Sequence, residues 1–105
     1  MKPARTRPLA EHDLVERTRY YANAEGAGLA ERFFTAAIEA VRSVEDMPGI
    51  GSPLVGERMG LPELRRVGVE GYPCGWFYFE RSDHLDVVRL LADKQDLDDL
   101  LGGEV

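Results

Sequence analysis

Between Leu64 and Ala92 the chain reads LRRVGVEGYPCGWFYFERSDHLDVVRLLA, three short runs too apolar to be left in water on either face. A strand period of two puts Val67 and Val69 on one side of the first run, and Arg66, Gly68 and Glu70 on the other. In the second run Phe77 and Phe79 oppose Trp76 and Tyr78, so neither side is polar. In the third, Val88 and Leu90 oppose Leu85, Val87, Arg89 and Leu91. The connecting EGYP and RSDH stretches suit tight antiparallel turns. A sheet of this composition needs a cover, and the rest of the chain has to supply it or leave a face for a partner.

Two amphipathic helices between Glu11 and Met47 are the first cover. Thr6 to Leu9 reads as a short strand that Pro3 and Pro8 confine to an edge. A helix start follows over Ala10 to Asp13, with Glu11 and Asp13 favourable near the positive helix terminus. Leu14, Thr18, Tyr21 and Ala22 recur at helical spacing, and Gly26 and Gly28 in AEGAG break the pattern into a turn. In the second helix Leu29, Phe33, Ala37, Val41 and Val44 form a stripe that Phe34, Ile38 and Ala40 widen, ending before Pro48. From Pro48 to Pro62 the repeated glycines and prolines predict a loop. Its GIGSPLVG is not a phosphate cradle, because it leaves a helix, approaches a strand and carries no lysine.

These elements predict an α+β chain: a helical hairpin packed on a three- to four-stranded antiparallel sheet, as one domain over residues 1–105. The hairpin shields one face. The other is expected to show aromatic and arginine side chains, the composition of binding hot spots, unless the tail around Asp96 to Leu101 folds back over it. A groove holding Arg66, Trp76, Tyr78 and Arg89 is therefore the candidate partner surface. A convergence of Arg65, Arg66, Arg81 and Arg89 would place a basic spot there, suited to an acidic peptide.

Charge and cysteine usage narrow the function classes. A net charge of −6 opposes broad polyanion binding, which needs dense Lys and Arg, so no direct nucleic-acid binding is expected. Cys74 is the single cysteine, which leaves no disulfide and no second thiolate for a metal. No metal or cofactor site is predicted. Nothing approaches the roughly 18 apolar residues of a bilayer span, and MKPARTRPLAEHD lacks a signal-type apolar stretch, so a cytoplasmic protein is expected.

The order YYANAEGAGLAERFFTAAIEAVRSVEDMPGIGSP, then LRRVGVEGYPCGWFYFERSDHLDVVRLLADKQDLDDLL, resembles the ParE branch of the RelE/ParE family of toxins from bacterial type II toxin–antitoxin modules. The resemblance runs from about Arg5 to Leu101. It implies the same helical hairpin on a small antiparallel sheet and a hetero-oligomer with a cognate, ParD-like antitoxin, which would take the Arg66, Trp76, Tyr78 and Arg89 groove. It also implies DNA gyrase as target for the ParE branch and messenger RNA on the ribosome for the RelE branch. Many members follow the last strand with an LHxxRD-like stretch, whereas this chain reads LADKQD, with Ala92 and Gln95 at the histidine and basic positions and only Asp96 matching.

RNA cleavage needs a general base, an acid for the leaving oxygen and cations on the phosphate. This tail offers Lys94 among carboxylates, and His12 and His84 stand far apart as surface or capping residues. The expectation is a non-enzymatic gyrase inhibitor with no catalytic residue. Its alternatives are a ribosome-dependent endoribonuclease, if Arg65, Arg66, Tyr78 and Arg89 meet, and a toxin-fold protein that keeps only antitoxin binding.

Overall fold

The computed structural model describes residues 1–95 together with Leu97 and Leu101. In chain order it contains β1 (Ala4–Thr6), α1 (Pro8–Glu25), α2 (Ala27–Asp46), a 3-10 turn (Pro48–Ile50), α3 (Leu54–Arg58), β2 (Leu64–Gly68), β3 (Cys74–Glu80) and β4 (Leu85–Ala92).

Helix α1 starts earlier than its periodicity suggests. Pro8 occupies the first turn, where a missing N–H costs nothing and the ring already holds φ in the helical range. The hairpin turn is also tighter than AEGAG implies, because Gly26 alone makes it. At φ 95° it donates its N–H to Ala22 O and accepts from Ala30 N–H, ending one helix and opening the next. Gly28 falls in the first turn of α2, where its poor helix propensity matters least.

The two helices are unequal. Helix α2 buries Ala30, Phe33, Ala37, Ala40 and Val44 at three- and four-residue steps, while Leu29 and Val41 are half-buried beside them. Helix α1 buries only Ala10 completely, and its Leu14, Thr18, Tyr21 and Ala22 are half-buried. It is held by α2 and β4 more than by its own apolar face.

The sheet runs β1-β4-β3-β2. Strands β2, β3 and β4 form the expected antiparallel meander, but β1 joins β4 in parallel, with Ala4 opposite Leu85 and Thr6 opposite Val87. The sheet is therefore mixed, since β1 returns to it only across the helical hairpin.

Register corrects the assignment of faces in β4. Phe77 pairs with Arg89 and Tyr78 with Val87, so Val88 is an extra, bulged residue. One inserted residue reverses the alternation beyond it. Leu85, Val87 and Leu90 consequently share the helix-side core with Trp76, Tyr78 and Phe33. Val88 and Leu91 lie on the opposite face with Leu64, Phe77 and Phe79.

That opposite face is covered. Leu97 and Leu101 of the tail pack on it with Val55, Met59 and Leu61 from α3 and its flanks. The stretch from Pro48 to Pro62 is thus more than a loop: it carries a 3-10 turn and α3, and Val55, Met59 and Leu61 become the lid of a second core. Among the described residues no helix is long and apolar enough to cross a membrane.

Candidate functional site

Trp76 and Tyr78 lie beneath the helices rather than in an open groove. Both are about fully buried, at 2% and 1% exposure, because β3 has even-numbered residues on the α2 side. The Trp76 indole N–H donates to Ala37 O at 3.0 Å, a backbone carbonyl of α2. The Tyr78 hydroxyl donates to Pro48 O at 2.8 Å and accepts from Gly51 N–H at 2.9 Å. Burial pushes the phenol above its usual value. Neither aromatic is presented to a partner; each spends its polar atom on tying a distant segment to the sheet.

The four arginines do not converge. Arg65 opposes Tyr78 and donates to Gly51 O at 2.7 Å and Gly49 O at 3.3 Å, holding the same loop. Arg66, its neighbour, opposes Phe77 on the other face. Its guanidinium lies where a Cβ on Gly75 would sit, so glycine there is what allows the approach, and it pairs with Asp93 at 2.6 Å. Arg81 stacks 4.5 Å from the Phe79 ring centre and reaches Asp86 at 3.2 Å. Asp86 also takes Arg7 through two bonds, at 2.9 and 2.8 Å, and these hydrogen bonds, then Arg81, hold its carboxyl below the usual carboxylate range.

Arg89 forms a fork with Asp13 at 2.7 and 2.9 Å, and both side chains are only 12% exposed. Asp13 also accepts the Leu90 N–H at 3.0 Å. This carboxylate was legible only as a helix-start residue, and its real partner is 76 positions away.

The remaining polar chemistry is dispersed. His12 is exposed, and His84 pairs through Nδ1 with Asp83 at 2.7 Å, which lowers the Asp83 carboxyl. Cys74 is buried, and desolvation raises its thiol above the ordinary value. Among the described residues no cluster of three His, Cys, Asp or Glu could hold a metal ion.

Two of the surface depressions are lined by exposed apolar side chains. A cleft of about 300 Å³ on the second face runs between α3 and the tail, floored by Phe77 and Leu91, walled by Leu54 and Leu97, and rimmed by Arg58 and Arg66. Leu54 is 58% exposed there. A shallower depression of about 450 Å³ lies between α1 and α2, lined by Thr18, Ala22, Ala30 and Phe34, the last 45% exposed. Sequence spacing missed the first, because it depends on α3 and on which face Arg66 takes.

The chain thus sets a helical hairpin against one face of a four-stranded sheet and a short helix and tail against the other. It matches a solved structure of the chromosomal ParDE toxin–antitoxin system from P. aeruginosa, with a TM-score of 0.75 at 18% identity, over 88% of this chain and 96% of that one. No curated protein sequence matches. Residues 4–97 match the family model of the ParE toxin of the type II toxin–antitoxin system, parDE. The chain belongs to that ParE toxin family.

Proposed function

We propose that this protein is the toxin of a type II module, neutralised by a ParD-like antitoxin, and that the free toxin inhibits DNA gyrase without a catalytic step. The observation that carries the neutralisation reading is the cleft beside Arg66. Exposed Leu54, the Phe77 floor and the Arg58 guanidinium, with Arg66 and its partner Asp93 at the rim, combine an apolar anchor site with a cation and an ion pair that an incoming carboxylate can compete for, which suits an apolar and acidic antitoxin segment. Arg66 is then a direct contact. Arg89, Trp76 and Tyr78 act from beneath, by holding α1, α2 and the Pro48–Ile50 turn in place.

The non-catalytic part of the reading is supported by the engagement of these groups at three separate places: Arg65 and Tyr78 both hold the Pro48–Gly51 segment, Arg66 pairs with Asp93, and Arg89 pairs with Asp13. The family supplies gyrase as the expected target. Supercoiling by purified gyrase, measured against rising amounts of folded protein, should fall stoichiometrically and recover on adding the protein encoded by the adjoining reading frame. Unchanged supercoiling at large molar excess overturns the gyrase reading. Site-specific cleavage of messenger RNA on translating ribosomes would establish an endoribonuclease instead, and inactivity in both assays a toxin-fold protein reduced to antitoxin binding.

A further inference from the structure

The side of the hairpin turned away from the sheet is apolar at its centre and charged at both ends. The depression between α1 and α2 brings Thr18 to the level of Phe34 and Ala22 to that of Ala30, which fixes how the antiparallel helices stand side by side. One turn further along, the same pairing sets Val15 beside Ile38. Val15 is 51% exposed, Phe34 is nearly as open, and Ile38 is half-buried next to them.

Four exposed charges frame this patch. On α1, Glu11 and Arg19 stand one helical turn to either side of Val15, and on α2, Glu31 and Arg42 are spaced evenly about the turn from Thr35 to Ile38. Among the described residues Glu31 and Arg42 form no ion pair, and Arg19 meets only the exposed Glu16 on its own helix. Val15 and the Thr35–Ile38 turn lie at one level of the hairpin. Each helix therefore carries a carboxylate on one side of that level and a guanidinium on the other, the arrangement that a two-fold axis turns into complementarity.

We propose that a second copy of this chain occupies this face, so that two hairpins pack into a four-helix layer. With the axis in the plane of the face and crossing both helices at Val15, α1 lies antiparallel on α1 and α2 on α2. Val15 then meets its own equivalent, and Phe34 meets Ile38 of the second copy. Glu11 faces Arg19 and Glu31 faces Arg42 across the interface, each pair occurring twice. A uniformly acidic or basic partner would instead meet two like charges here. Helices of 18 and 20 residues, about 30 Å long and about 10 Å apart, offer about 600 Å² per copy, which is the lower end of a specific interface. The dimer is consequently a weak one, half-formed at on the order of 10–100 μM. Because the cleft beside Arg66 lies on the opposite face of the sheet, both copies keep it open, and the inference stands apart from the choice of target.

Sedimentation equilibrium of the full chain between about 1 μM and 1 mM tests the proposal. The mass should rise from one copy toward two across that range. Phe34→Ser and Val15→Glu should each weaken association by about tenfold or more with the melting transition kept, since both side chains are half-exposed in the single copy. Glu31→Arg and Arg42→Glu should each do the same, because like charges then face each other within either variant. An equal mixture of those two variants should dimerise at least as well as the parent, since every facing pair across the mixture is opposite in charge. Misfolding of either variant would not be repaired by mixing. A parent that keeps the mass of one copy at about 1 mM overturns the proposal, as does a mixture no better than its separate components. If the chain stays single while the adjoining-frame protein shifts the Val15 and Phe34 amides, the face belongs to that partner and the dimer falls.

Discussion

The Asp13 carboxylate closes the edge of β4 where β1 ends. It accepts the Leu90 N–H and two bonds from Arg89, so one side chain from α1 replaces both a missing strand and a counter-ion. Replacing it takes two charged hydrogen bonds from a guanidinium that is 12% exposed and leaves the Leu90 N–H without this acceptor. Loss of one partner of such a buried pair costs on the order of 3 kcal/mol. Asp13→Ala should lower the unfolding free energy measured by urea titration by that amount, and Asp13→Ala with Arg89→Met should recover part of it. Equal stability of the single variant and the parent would show that the pair contributes nothing.

The Tyr78 hydroxyl and the Arg65 guanidinium grip the same short segment, Pro48 to Gly51, from the sheet. Tyr78→Phe leaves the Gly51 N–H without its acceptor, a loss of about 1–3 kcal/mol for a buried donor. Unfolding should shift by that much, with far-ultraviolet dichroism preserved. Because the ring is buried, the variant's affinity for an antitoxin should change far less than that of Arg66→Ala. A larger affinity loss for Tyr78→Phe than for Arg66→Ala would restore the aromatic to the partner surface.

How far the sequence reveals this architecture differs between its parts. The α2 stripe and the antiparallel meander follow from local spacing, because each helical turn or strand step repeats the same environment. The placement of Trp76 and Tyr78 does not. Both faces of β3 are apolar, so alternation separates the two sets of residues without saying which set meets the hairpin. The bulge at Val88 is equally silent, being a property of pairing, and it moves Leu90 and Leu91 to faces opposite to simple alternation from Leu85. The arginines mislead for a related reason: proximity in sequence puts Arg65 and Arg66 on opposite faces, and Asp13, Asp86 and Asp93 take up Arg89, Arg81 and Arg66 separately.

Asp86 gives the acid limb of stability a definite direction. Its carboxyl is held below the ordinary range by Arg7 and then Arg81, so the folded state binds its proton less readily than the unfolded chain. The contribution is complete above the unfolded value of about 4 and fades as the pH falls through the lower folded value. Asp86→Asn should therefore lower stability at neutral pH and flatten its dependence below about pH 4. Parallel acid limbs for parent and variant would assign the acid sensitivity to other carboxylates.

Leu101 is fully buried on the second face, packed with Phe77, Phe79, Val88 and Leu91, and Leu97 lies half-buried beside it. The acidic tail is thus anchored by apolar contacts, whatever its charges do at the surface. Ending the chain at Gln95 removes both leucines and uncovers that core. Full burial of one leucine side chain contributes about 1.5–3 kcal/mol, so the shortened chain should lose at least that much and bind a hydrophobic dye. Leu101→Ser in the full-length chain should reproduce most of the loss while keeping every tail charge. If supercoiling inhibition survives in Leu101→Ser but disappears when Asp93, Asp98 and Asp99 are made asparagine, the tail's charges act on the target. If the serine variant alone loses inhibition in proportion to its unfolded fraction, the tail is a structural strap over the sheet and its carboxylates serve only solubility.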